Sequence, residues 1–305
     1  MKYHYSVYDF IIQSELELPG FPAASGITVS SPTVTIQFGK VSKTGLQNPT
    51  NQGLTYQTNS TEFWLNIPSI ARFLVSNGQK ILIDPVDQTD DDSIRTFLLS
   101  TCIETLLRQR QLILISGFAL KLGSVGVAFA GTPGTGQSML QGLFYKNGYS
   151  FLDGHFTVLN HQGFILPGIP QMELWPAITS VLGIDTQHLN QVRPEIQQYI
   201  LPLIDQYYRN PLPVQTIYTV AMHQQPNIIF STIDGAEKIK YLEPLIKTND
   251  VSVNLWYENN HSLPNLDRLK SIPLVCINLP TSGLKLQQII QAIENDVGER
   301  SLAHV

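Results

Sequence analysis

Residues 131 to 138 read Gly131-Thr132-Pro133-Gly134-Thr135-Gly136-Gln137-Ser138, the GxxxxGK[ST] spacing of a phosphate-binding loop with Gln137 where the lysine stands. Such a loop works because backbone N–H groups of a glycine-rich turn, with the positive end of the helix behind them, converge on phosphate oxygens. The glycines at 131, 134 and 136 supply the backbone freedom that turn demands whatever binds there. Lysine adds a point charge on the outer phosphates, and the hydroxyl after it coordinates magnesium. Ser138 keeps the hydroxyl. Gln137 keeps a hydrogen-bond donor and loses the charge. The candidate cofactor-binding residues are therefore Gly131, Gly134, Thr135, Gly136, Gln137 and Ser138, with ATP and magnesium as the ligands of the full motif and weak or absent binding expected here.

The flanking elements suit that chemistry. Val125-Gly126-Val127-Ala128-Phe129-Ala130 is a short apolar run of the kind a buried parallel strand needs, and it leads straight into Gly131. Met139, Leu140, Leu143 and Phe144 recur at helical spacing, and Gly148 stands where a helix ends. Strand, loop and helix follow in order.

The chain has 305 residues, a hydrophobic fraction of 43%, a charged fraction of 14% and a net charge of −5. It is long enough for two ordinary cores, and its balance gives nucleic acid no electrostatic footing. No run reaches the roughly 18 apolar residues that span a bilayer, and the opening Met-Lys-Tyr-His-Tyr-Ser does not read as a secretory signal, so no membrane partner and a cytoplasmic location are expected. Cys102 and Cys276 lie far apart inside apolar segments, which suits reduced core residues better than a disulfide or a metal site.

Residues 1 to about 90 alternate apolar and polar positions in short pieces, as in Val34-Thr35-Ile36-Gln37-Phe38, and predict a small β-rich N-terminal domain, 1–90. Asp90-Asp91-Asp92-Ser93 opens a connecting helix, 91–111. Its Ile94, Leu98, Cys102 and Leu106 share one stripe, and its acidic start and basic end suit the helix dipole. Residues 112–305 hold the loop, a hairpin at 156–166, a late strand over Leu274 to Leu279 and a final helix over 284–296 whose Leu286, Ile289, Ile290 and Ile293 share a face. The fold class expected is α/β, a P-loop kinase-like domain with a central sheet and flanking helices, preceded by the smaller β-rich domain.

With these residues laid out, the chain resembles the HPr serine kinase/phosphorylase superfamily, and more closely its homologues from peptide natural-product clusters, such as lasso-peptide kinases. The likeness runs over almost the full length. It is carried by YSVYDFIIQSELELP from Tyr5 to Pro19, Ile70-Ala71-Arg72-Phe73-Leu74-Val75, Leu106-Leu107-Arg108-Gln109-Arg110, Pro167-Gly168-Ile169-Pro170 with Leu174-Trp175-Pro176, and Pro211-Leu212-Pro213 with Ile217-Tyr218. The resemblance implies a P-loop kinase domain that phosphorylates a serine hydroxyl with ATP and magnesium.

The working residues implied by the resemblance are altered. The family's histidine before the loop strand falls at Ser116, and the loop lysine is Gln137. A pair of aspartates, one on magnesium and one acting as base, falls at Gly154-His155, with a single carboxylate, Asp153, one place early. Asp153 and His155 are thus the candidate catalytic residues, and Ser138 and Asp153 the candidate metal ligands. Losing one preorganised electrostatic group costs about 10²- to 10³-fold in rate, and phosphoryl transfer depends on positioning and charge. Each site also has a plainer reading. Asp153 can solvate a turn at a strand end, His155 can be a partly exposed histidine, His161 can be a hairpin-turn residue, Ser116 can fill a vacated place, Arg193-Pro194-Glu195 can be a solvated surface pair, and Trp175 can be packing.

Three functions follow as expectations. The first is a degenerate, non-catalytic binding or accessory protein for a peptide or protein partner in a biosynthetic or regulatory pathway, with weak nucleotide or anion binding. The second is an active divergent serine kinase using Asp153 or His155 as base, and the third a different small-molecule reaction in the same pocket. The sequence leaves a homo-oligomer open.

Overall fold

The computed structural model of the chain describes residues 2–24, 33–131, 136–193, 196–246, 266–280 and 286–302. Gly134 and Thr135 of the loop lie outside the described residues, as do Pro194 and Glu195. The architecture is mixed α/β, and the chain divides near Leu114 into two compact units. Among the described residues no helix is long and apolar enough to cross a membrane.

In the first unit the alternating pattern becomes eight strands: β1 Tyr3–Val7, β2 Phe10–Ser14, β3 Thr33–Phe38, β4 Asn51–Gln52, β5 Tyr56–Thr58, β6 Glu62–Ile67, β7 Ala71–Ser76 and β8 Lys80–Pro85. They form one sheet in the order β1-β2-β3-β8-β7-β6-β5-β4. Alternation puts Val34, Ile36, Phe73, Val75, Ile81 and Ile83 in the core. The segment expected as one helix is α1 Asp91–Phe97 and α2 Ile103–Gln109, joined by a π turn over Leu98–Cys102. Asp90 caps its start, accepting from the Ser93 amide. Ile94, Leu98, Cys102 and Leu106 are all buried. Their strict four-residue spacing would drift by about 40° per step on an α-helix, and the wider i→i+5 turn takes up that drift.

The second unit carries the site. Its strands are β9 Ile113–Leu122, β10 Val125–Ala130, β11 Ser150–Asp153, β12 Phe156–Leu159, β13 Phe164–Leu166, β14 Gln171–Leu174, β15 Asn190–Arg193, β16 Ile196–Pro202, β17 Leu212–His223, β18 Ile229–Thr232 and β19 Leu274–Pro280. The main sheet runs β10-β9-β12-β13-β17-β19-β18, with β11 on β9, and β10 also pairs with β17. β10 is antiparallel to β9 but parallel to β17, and β17 is parallel to β19. The 156–166 hairpin forms as β12 and β13, its turn held by Asn160, whose Oδ1 accepts from the Gln162 and Phe164 amides. Helices α3 Gln137–Lys146, α4 Pro176–Leu182 and α5 Gly235–Ile246 follow in chain order, and a C-terminal helix spans Leu286–Leu302.

That last helix runs six residues beyond the expected end at 296. Val297 continues the apolar stripe of Ile290 and Ile293, and Arg300 pairs with Asp296 one turn back, so the helix carries on through Gly298, a poor helix former. Cys102 is buried as expected, whereas Cys276 is only half-buried.

Candidate functional site

The site begins where β10 ends. Residues 126 to 130 are buried, and Gly131 is buried too, its amide donating to the carbonyl of Ser116 at 3.3 Å. Ser116 thus contributes backbone, not side chain, to the start of the loop. At the far end Gly136 takes φ +89°, the left-handed region that favours glycine, and serves as N-cap of α3. Among the described residues no side chain caps that helix. Its first-turn amides, including that of Ser138, carry the partial positive charge of a helix start.

Gln137 is turned away from the helix start. Its Nε2 donates to the Phe129 carbonyl at 2.9 Å. Gly117 on β9 makes room for this. A Cβ there would lie 2.0 Å from the Phe129 oxygen and 2.5 Å from Gln137 Nε2. The amide is packed into the strand ends, and the position that should carry a cation carries a neutral group already engaged.

Asp153 ends β11, where the pairing with β9 shifts register between Phe151 and Asp153. Its side chain is fully buried. Oδ1 accepts from the His155 amide at 2.8 Å and the Phe156 amide at 3.2 Å, closing the turn into β12. Its charge raises the pKa of Tyr207, for which burial is the larger cause. The Tyr207 hydroxyl donates to the Gly168 carbonyl at 2.7 Å. His155 is exposed, its ring edge-on to Phe156 at 4.3 Å.

Gly154 explains why a second carboxylate is missing. A Cβ there would stand 2.2 Å from the carbonyl oxygen of Gln171 and 2.9 Å from Leu203 Cδ1. No side chain fits without moving the backbone. The Gly154 carbonyl accepts from buried Gln141 Nε2 at 2.6 Å. Gln141 lies one helical turn beyond Ser138, so this bond ties α3 to the Asp153 turn. Gln141, Gly117 and the Phe129 carbonyl escaped sequence reasoning. The one signal was a polar residue at an otherwise apolar helix position, Gln141.

The residues present meet the requirements of ATP and magnesium unequally. Backbone donors at the start of α3 suit phosphate oxygens. On the metal side, Asp153 is buried with one carboxylate oxygen committed to two turn amides, and among the described residues there is no group of three or more His, Cys, Asp or Glu that could hold a metal ion. Trp175 is half-exposed. His161 is exposed in the hairpin turn and Arg193 ends β15.

A solved structure, the Hpr(Ser) kinase/phosphatase from Coxiella burnetii, is similar to this chain at 12% identity over 63% of this chain and 97% of that chain, with a TM-score of 0.29. That likeness assigns no residue of this chain a role. No family model matches the chain, and no curated protein matches it.

Proposed function

We propose that this chain is a kinase-like protein that has given up phosphoryl transfer and acts as a binding or accessory protein for a peptide or protein partner in a biosynthetic or regulatory pathway. In this reading residues 112–305 form the phosphate-loop domain, 1–90 the β-rich domain and 91–111 the connecting helix, and the protein works in the cytoplasm. The observation that carries the reading is the Gln137 amide bonded to the Phe129 carbonyl where a mobile cation would be needed. Phosphoryl transfer is almost entirely positioning and charge, and the closed backbone at Gly154 removes a second charged position as well. What survives is the uncharged part of the cradle: the left-handed Gly136 and the start of α3. That part suits weak binding of a phosphate or polyphosphate without magnesium.

Thermal denaturation with ATP, ADP, pyrophosphate and tripolyphosphate, each with magnesium or with EDTA, tests the reading. The expected result is a small rise in melting temperature that follows phosphate number and ignores magnesium, through mass action on the folded state. A rise that requires magnesium and a nucleotide would favour the second reading, an active divergent serine kinase, whose support is the Gln141 bond tying the Asp153 turn to α3.

A further inference from the structure

The C-terminal helix is held by two separate tyrosine–carboxylate bonds, to Tyr218 on β17 and to Tyr149 just beyond α3. At one, the buried Tyr218 of β17 donates to Asp296 Oδ2 at 2.6 Å, and Arg300 holds both oxygens of that carboxylate, at 2.7 and 3.1 Å. The Tyr218 ring stacks on Phe129 at 5.3 Å, and Phe118 stacks on Phe129 at 4.9 Å. The three rings sit in register across β9, β10 and β17. The Phe129 carbonyl then accepts from Gln137, the first residue of α3. At the other, Tyr149 donates to Glu294 at 2.6 Å, and its ring meets Phe144 near the end of α3 edge-on at 5.0 Å. Both carboxylates belong to the helix whose Ile289, Ile290, Ile293 and Val297 pack into the same core as Leu140, Leu143 and Phe144.

We propose that this two-tyrosine clamp is a conformational device: the seating of the C-terminal helix sets the position of α3 at both ends, and unseating it loosens the Gln137 anchor and the helix start at Gly136. Apolar packing alone would let the helix slide along its stripe, because it is non-directional. Two directed bonds to carboxylates, one tied to each end of α3, fix one register. Coupling of this kind is reciprocal, so whatever shifts the start of α3 also shifts the C-terminal helix. The inference concerns the fold and holds whether or not the loop binds an anion, so its failure and that of the binding reading are separable.

Hydrogen exchange of α3 amides 138–146 tests it, in Tyr218→Phe, Tyr149→Phe and the double variant, beside Ile293→Val. That control deletes a methyl from the same helix without touching the clamp. A hydrogen bond to a charged group corresponds to about tenfold or more in an opening equilibrium. The expected result is faster exchange in α3 for each tyrosine variant, additive or more in the double variant, and beyond the change in Ile293→Val. Arg300→Gln, which frees Asp296 from its ion pair at a partly exposed site, gives a milder effect of the same pattern should Tyr218→Phe fail to fold. Exchange in α3 that matches Ile293→Val, or rises only in the C-terminal helix, overturns the proposal.

Discussion

Gly154→Ala probes whether the second carboxylate position is closed. The added Cβ would sit 2.2 Å from the Gln171 carbonyl oxygen, 2.9 Å from its carbon and 2.9 Å from Leu203 Cδ1. Relief needs a shift of about 1 Å to reach an ordinary contact. The obstacle is backbone, and Gln171 is the first residue of β14, paired with Pro202 of β16. Overpacking of that kind costs ~1–3 kcal/mol. Replacing glycine also restricts the unfolded chain, which returns ~0.4–1 kcal/mol, so the net loss expected is about 1–2 kcal/mol. Gly298→Ala is the control, with nothing within 4 Å of the added atom and, as at Gly154, no left-handed backbone. It isolates the loss of glycine freedom from crowding. Gly154→Asp should lose several kcal/mol more, since an added carboxylate would be buried beside Asp153. Urea unfolding midpoints at pH 7 measure all three. A Gly154→Ala midpoint equal to that of the wild type, or a Gly154→Asp protein as stable as the parent, would refute the steric argument and reopen position 154 to a catalytic carboxylate.

Gln137→Lys should strengthen polyphosphate binding, because it returns a charge to the first residue of α3; calorimetry with pyrophosphate showing unchanged affinity would mean the loop lacks phosphate-binding geometry. Gly136→Ala should destabilise the protein by about 1 kcal/mol through its positive φ, since among the described residues only Val220 Cγ1, at 3.9 Å, lies near the added atom; an unchanged urea midpoint contradicts that. Alkaline pH should unfold the protein early. Burial first, and then the Asp296 hydrogen bond, raise the Tyr218 pKa, so the folded value lies above the unfolded one and the stability held below pH about 10 is lost as pH rises beyond it, by up to ~1.4 kcal/mol per pH unit. Midpoints that stay flat from pH 9 to 11, or a slope that Tyr218→Phe leaves intact, would contradict this.

The elements around the site were legible because each rests on a local pattern. Val125–Ala130 is a continuous apolar run, and Leu140, Leu143 and Phe144 repeat at helical spacing, so β10 and α3 stand where the pattern puts them. The 156–166 hairpin forms where it was expected, and the structure shows Asn160 holding its turn. What was hidden depends on residues distant in sequence. The closure at Gly154 comes from Gln171 and Leu203, and the room for the Gln137 amide comes from Gly117. Asp153 read equally well as base or turn residue, and the turn amides of His155 and Phe156 could be found only in three dimensions. The final helix was visible to 296, but its polar clamp joins residues more than seventy positions apart, Tyr218 with Asp296 and Tyr149 with Glu294. The irregular turn at Leu98–Cys102 had a trace in the four-residue stripe, read there as an ordinary helix.

The most direct test of the central claim is release of ADP from ATP by the purified protein, with magnesium, at protein in excess of nucleotide and with a serine-containing peptide pool present. Asp153→Asn runs alongside, since it keeps an oxygen for the two turn amides while removing the charge. The account predicts ADP at the rate of buffer alone and no phosphopeptide, from both proteins. ADP or phosphopeptide formed by the wild type, lost on chelation of magnesium and lost in Asp153→Asn, would contradict it and make this chain an active kinase.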